Sequence, residues 1–142
     1  MNLRRVIEIA LRLVIVGGLA VDARVHLHLA PAYDQVRTST ISQGTLFRVE
    51  AVATILAALL VLVVRRPLSA LVAASVAGGG LVALLVYRYY DFGSFGPLPA
   101  MYEPAWYPDK TNTAIAQAVA TLAALLLLVV PIRSNSSNEL QS

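Results

Sequence analysis

The sequence predicts an all-α membrane protein, an antiparallel bundle of four transmembrane helices with both termini in the cytoplasm. Four apolar segments cover about residues 6–29, 46–64, 68–90 and 111–132. A bilayer core about 30 Å thick needs roughly twenty helical residues to cross it, and each segment reaches that length. Hydrophobic residues form 58% of the 142-residue chain and charged residues 13%, against about 25% charged residues in soluble domains. These observations predict one four-helix unit without a second domain.

The positions of the arginines predict the orientation of the helices. Arginines stand at residues 4–5 before the first segment, at 65–66 between the second and third, and at 133 after the fourth. Under the positive-inside rule all three places are cytoplasmic. The first segment is expected to be a retained helix and residues 134–142 a disordered cytoplasmic tail. The alanine-, valine- and arginine-rich composition favours a multi-pass protein of the bacterial cytoplasmic (inner) membrane.

Composition and motifs exclude several function classes. The net charge is +3, but the basic residues are scattered and form no nucleic-acid-binding patch. The absence of cysteine excludes disulfides, thiol redox chemistry and cysteine metal sites. The sequence contains no phosphate-binding glycine loop, serine nucleophile elbow, HExxH or CxxC motif.

The second outer loop is unusual for its length and composition. Residues 91–110 hold four of the seven prolines and the only tryptophan, Trp106, and all six tyrosines fall on this side of the predicted membrane. An interfacial aromatic belt is one explanation. Belts occur at both faces, however, and the inner face has none, so an ordered proline- and aromatic-rich cap over the outer end of the bundle is the alternative. Loops of this length are often functional.

Polar side chains at membrane depth are costly and usually face the bundle interior. Positions i and i+4 share a helix face, so Asp22 pairs with His26, while Arg24 pairs with His28 and extends toward the headgroups. Each of the other three helices carries one polar side chain on a stripe of small residues, which marks a packing face. With Asp22 and His26 this makes five residues. We call these five residues the interior polar cluster: Asp22, His26, Glu50, Tyr87 and Gln117.

Two interpretations of this cluster stay open. Its members could only hydrogen-bond the helices together, at about 0.6 kcal/mol per contact, or they could relay protons, hold a metal or bind the polar head of a ligand. His26 and His28 are about 200° apart on a helix, so they cannot share one metal ion. Arg88 could neutralise Glu50 or Asp91, or bind an anionic headgroup.

The stretch Leu11–Ala20 (LRLVIVGGLA) is an arginine followed by an apolar run with glycines. With the alanine- and leucine-rich second segment and the arrangement of all four, it resembles the DoxX-like group of small four-helix bacterial membrane proteins. Some members of that group are membrane subunits of quinone-dependent redox systems. The present chain departs from the group in its long outer loop and its lack of cysteine.

Three functions follow as hypotheses. In the first, a non-enzymatic membrane protein binds a lipid-like or quinone-like molecule from the outer leaflet. In the second, the chain is an accessory subunit of a larger respiratory or transport complex, or forms a homo-oligomer. In the third, it is an intramembrane enzyme in which His26 is the base and Asp22 orients it. The residues expected to meet the ligand are Asp22, His26, Glu50, Tyr87, Arg88, Tyr102, Trp106 and Gln117.

Overall fold

The computed structural model describes residues 2–139, and the side chains up to residue 130. Within that range the chain forms four α-helices and one short 3-10 helix. These are α1 Leu3–Leu29, the 3-10 helix Ala30–Tyr33, α2 Gln43–Val63, α3 Pro67–Tyr89 and α4 Pro108–Glu139. The prediction of an all-α chain with four helices is confirmed, and each predicted segment falls on one helix. The predicted disorder of the tail stays a prediction, and residues 140–142 lie outside the described residues.

Three of these helices are long and apolar enough to cross a membrane: α2, α3 and α4 over Pro108–Val130. The chain is therefore a membrane protein by the length and composition of its helices. Helix α1 is longer, at 27 residues, but carries several charged side chains, and it does not belong to this set.

Local sequence signals explain where the helices begin. The side chain of Asn2 accepts a hydrogen bond from the backbone N–H of Arg5, and that of Ser42 accepts one from Thr45. Both are N-cap interactions, which satisfy backbone donors that have no partner within the helix. Pro67 occupies the first turn of α3, where no backbone donor is lost.

The helices pack as a bundle in which α1 contacts α2 and α4, and α3 contacts α4 and, less extensively, α2. The core between them consists largely of small side chains, as is typical of helix contacts in membranes. It is formed by Ile15, Leu19, Ala57, Val61, Ala70, Ala73, Ala77, Ala120, Ala123, Ala124 and Leu127. Large apolar side chains cover the outside, among them Leu56, Val82 and Leu122, each exposed over about 60% of its surface.

Two loops contact each other at one end of the bundle: residues 34–42, between the 3-10 helix and α2, and residues 90–107, between α3 and α4. The Thr38 hydroxyl donates to the carbonyl oxygen of Pro97 over 2.7 Å. In the second loop, backbone hydrogen bonds in both directions join Phe95 and Leu98 around Gly96, whose φ of 57° favours glycine. The backbone N–H of Glu103 donates to the carbonyl oxygen of Tyr87. These bonds hold residues 90–107 against the ends of the helices.

Candidate functional site

Asp22 is fully buried and receives three hydrogen bonds on a single oxygen. His26 Nδ1 lies 2.8 Å from Asp22 Oδ1, Gln117 Nε2 lies 3.2 Å from it, and the Thr113 hydroxyl lies 3.3 Å from it. Helix α4 supplies the last two groups, so Asp22 links α1 to α4. The structure therefore brings together three members of the interior polar cluster: Asp22, His26 and Gln117. Thr113 was not among the residues that the sequence predicted for this cluster.

The surroundings of His26 determine which ring nitrogen carries a hydrogen. Its Nδ1 faces two acceptors, Asp22 Oδ1 at 2.8 Å and the Asp22 backbone oxygen at 2.9 Å. A nitrogen between two oxygens must be the donor, so Nδ1 is protonated. The ring also meets Phe47 edge-on, with the centroids 5.1 Å apart. Arg24 and His28 are exposed, so α1 presents Asp22 and His26 to the interior and the other pair outward.

Glu50 and Gln117 approach each other where α3 has no side chain. A Cβ atom at Gly80 would lie 2.7 Å from Glu50 Oε1 and 2.5 Å from Gln117 Nε2. Both distances are shorter than side-chain contacts allow, so a side chain at position 80 would displace the ends of Glu50 and Gln117. Gly80, the last of three consecutive glycines in α3, thus lies directly beside the cluster.

Three oxygens of the cluster have no hydrogen-bond partner among the described residues: Asp22 Oδ2, Glu50 Oε1 and Gln117 Oε1. Asp22 is 0% exposed and Gln117 is 1% exposed. Most buried polar atoms in proteins are hydrogen-bonded. All three of these atoms are acceptors, so the cluster has an excess of acceptors over donors.

A cavity of about 400 Å³ lies between the cluster and the second loop. Its size is within the range of roughly 300–1,000 Å³ that is typical of ligand pockets. Apolar side chains dominate its wall, including Leu46 of α2, Leu84 of α3 and Met101 of the second loop. Its polar lining is provided by His26, Gln43, Glu50, Tyr87, Glu103, Tyr107, Lys110 and Thr113.

The second loop, residues 90–107, forms the lid of this cavity. Tyr33, at the end of the 3-10 helix that follows α1, joins this lid to the first helix. The Tyr33 hydroxyl donates to Glu103 Oε2 at 2.9 Å and lies 3.1 Å from the Tyr107 hydroxyl. Lys110 donates to the backbone oxygens of Glu103, at 2.5 Å, and Ala105, at 3.1 Å. Burial and the hydrogen bonds with Tyr107 and Glu103 raise the pKa of Tyr33 above its ordinary value. Burial likewise raises the pKa of Tyr107.

Five residues predicted to meet a ligand lie outside the cavity lining: Asp22, Arg88, Tyr102, Trp106 and Gln117. Asp22 and Gln117 are buried where α1 meets α4. Tyr102 and Trp106 are 41% and 44% exposed, and the lid uses Leu98, Met101 and Tyr107 in their place. The guanidinium of Arg88 lies 4.8 Å from the centre of the Tyr89 ring and 5.6 Å from that of Trp106. Its Nε has no hydrogen-bond partner among the described residues. Composition indicated an aromatic cap, but it did not indicate which rings face inward.

A larger depression of about 670 Å³ lies along the outside of α1 and α4. Gly17, Gly18 and Val21 form its floor, while Arg24 and His28 lie at its polar end. Unlike the 400 Å³ cavity, it has no buried polar atom without a partner in its wall, and this statement refers to the residues that the structure describes. The smaller cavity is therefore the candidate site.

The described residues contain no group of three or more histidine, cysteine, aspartate or glutamate side chains that could hold a metal ion. His26 faces the cavity and His28 the outer depression, as their spacing on a helix requires. No protein-family model, no curated protein and no solved structure matches the chain.

Proposed function

We propose that this chain is a small non-enzymatic protein of the bacterial inner membrane that binds a lipid-like or quinone-like molecule in the 400 Å³ cavity. One observation carries the proposal: an apolar cavity ends at a carboxylate, Glu50, that has an unpartnered oxygen. An apolar wall suits a hydrocarbon body, and a few convergent polar groups suit a polar head. The resemblance to DoxX-like proteins stays part of the proposal, since it supplies the quinone as one candidate ligand.

The proposal includes α1 as a fourth transmembrane helix. Its charged residues Arg12 and Asp22 are buried among the other helices, whereas Leu13, Val14 and Leu27 are exposed over 44–60% of their surface. Lipid would therefore meet these apolar side chains on α1, while Arg12 and Asp22 meet protein. The exposed Arg24 and His28 lie near its outer end. With the arginines at residues 4–5, 65–66 and 133 on the cytoplasmic side, the helices run up-down-up-down and the cavity opens toward the outer leaflet.

The first test is native mass spectrometry of protein extracted in mild detergent, followed by extraction of what stays bound. We expect one lipid or quinone molecule per chain in the wild type. Ala83 lines the cavity, so Ala83→Phe should fill it and release the ligand. Val82 is the neighbouring residue, 61% exposed on the outside, and Val82→Phe should keep the ligand. Equal occupancy in the two variants would refute the cavity as the binding site.

A second candidate, an intramembrane enzyme, is favoured by the Asp22–His26 contact of 2.8 Å. A carboxylate that orients an imidazole next to a cavity is the arrangement of a general base. If so, His26→Gln should retain the extracted molecule but leave it chemically unchanged, whereas the wild type converts it. Identical extracts from both proteins would exclude this role.

A further inference from the structure

We infer that the molecule in the cavity carries a primary ammonium group, which donates a hydrogen bond to Glu50 Oε1. This inference rests on the proposed binding function and identifies the chemistry of the ligand's head. It starts from the excess of acceptors in the interior polar cluster, where Asp22 Oδ2, Glu50 Oε1 and Gln117 Oε1 have no partner among the described residues.

Three donors around the cluster are directed at Asp22 rather than at Glu50. His26 Nδ1, the Thr113 hydroxyl and Gln117 Nε2 all point at Asp22 Oδ1. The hydroxyls of Thr54 and Thr121 donate to the backbone oxygens of Glu50 and Gln117, at 2.7 and 2.6 Å. No hydrogen bond from a described residue reaches Glu50 Oε1. A ligand head that only accepts hydrogen bonds, such as a quinone carbonyl, would therefore add another acceptor to the excess.

The charges near the cavity favour a cation over a neutral donor. Arg48 forms a bidentate pair with Asp34, at 2.7 and 2.9 Å. Lys110 binds two backbone oxygens, and Arg88 stacks on Tyr89 and Trp106. None of these three cations pairs with Glu50. A carboxylate within the bundle is costly unless it is paired, and a bound ammonium would supply both the opposite charge and the missing donors.

Two sources share this chemistry, a phospholipid with an ethanolamine head and a single-chain amine. Phosphatidylethanolamine and phosphatidylcholine with identical acyl chains provide the first comparison, because methylation of the amine removes every N–H donor and keeps the charge. Octadecylamine and octadecanol provide the second, because the alcohol keeps a donor and removes the charge. Each probe is added to delipidated full-length protein in detergent, and occupancy is read by native mass spectrometry.

We expect phosphatidylethanolamine or octadecylamine to bind at least about tenfold more tightly than its partner probe, as for a charge-assisted hydrogen bond. Glu50→Gln keeps the shape of the side chain and should abolish that preference. Asp91 is exposed, so Asp91→Asn is the matched control and should keep the preference. Circular dichroism and gel filtration verify that both variants fold.

The outcomes separate this inference from the function on which it rests. Equal binding of both phospholipids and of both single-chain probes would overturn the ammonium assignment, while release by Ala83→Phe would still support the cavity. Preference for octadecanol, or a bound quinone in the extract, would also overturn it. If Ala83→Phe and Val82→Phe bind every probe as the wild type does, the proposed function itself fails.

Discussion

Arg12 Nη1 donates a hydrogen bond to the backbone oxygen of Val61 over 2.9 Å, which joins the start of α1 to the end of α2. The same nitrogen lies 3.1 Å from the Val64 oxygen and 3.1 Å from the Ser69 hydroxyl at the start of α3. The last carbonyl groups of a helix have no partner within it, and a cation there also offsets the negative end of the helix dipole. A single guanidinium thus holds three helices together.

Replacing Arg12 should therefore destabilise the bundle strongly. Arg12→Met keeps much of the apolar stem but leaves these carbonyl groups and Glu8 without their donor, at a cost of about 2–4 kcal/mol. The free energy of unfolding in mixed micelles measures the effect. Arg65 is the control, because its contact with Glu8 is 3.6 Å long and its side chain is 52% exposed. Arg65→Met should cost less than about 1 kcal/mol. Equal losses would contradict the structural role of Arg12.

The helices could be predicted from the sequence because hydrophobic segments of membrane length are long, local signals. The i, i+4 spacing likewise predicted that Asp22 and His26 share an inward face. The same spacing places Glu8 and Arg12 on one face, where they pair over 3.3 Å. The contacts of Arg12 with α2 and α3 could not be predicted in this way. They depend on how ends of different helices meet, and an arginine four residues from a glutamate is also compatible with a side chain that extends to the headgroups.

The lid, which the sequence predicted as an aromatic cap, was harder to predict than the helices. Its aromatic composition was informative, but proline-rich backbone has no period from which to predict the facing of a side chain. Tyr107 therefore lines the cavity although Tyr102 and Trp106 were expected to do so. Tyr33 and Glu103, which are separated by 70 residues in the chain, meet only because both loops fold over the same end of the bundle.

A side chain at Gly80 is expected to displace the ends of two neighbouring side chains, in contrast to one at Gly79. A Cβ at Gly80 would push apart Glu50 and Gln117, whereas one at Gly79 meets nothing within 4 Å. Gly80→Ala should cost about 1–3 kcal/mol through overpacking and should weaken ligand binding, because the carboxylate moves. Gly79→Ala should be neutral or stabilising by up to about 1 kcal/mol, since alanine favours helix. Unfolding in mixed micelles and ligand occupancy in the two variants provide the comparison, and equal behaviour would contradict the close approach of α3.

A second glycine pair tests the contact between α1 and α4. A Cβ at Gly18 would lie 2.8 Å from the backbone oxygen of Ala116 and 3.0 Å from Ala120 Cβ, whereas one at Gly17 meets nothing within 4 Å. Backbone atoms cannot rotate away, so Gly18→Ala must separate the two helices, at a cost of about 1–3 kcal/mol. Because Asp22 binds Gln117 across the same interface, a distance between spin labels on α1 and α4 should increase in Gly18→Ala. It should stay unchanged in Gly17→Ala, and an unchanged distance in both would refute the prediction.

The hydrogen bonds of Tyr33 should make the attachment of the lid depend on pH. The pKa of Tyr33 is raised in the folded protein, chiefly by burial and by its bond with Tyr107, so folding favours the neutral phenol. The stabilisation is fully present below the pKa of an unfolded tyrosine, about 10, and is lost as the pH rises further toward the folded value. Fluorescence of Trp106, the only tryptophan, should report the release of the lid above about pH 10.

Tyr33→Phe removes the bond to Glu103 at every pH, so this variant should show a loosened lid already at neutral pH and a weaker change above it. Tyr89 is 61% exposed, and Tyr89→Phe is the matched control that should behave as the wild type. A Tyr33→Phe profile identical to that of the wild type would show that the lid is held by other contacts.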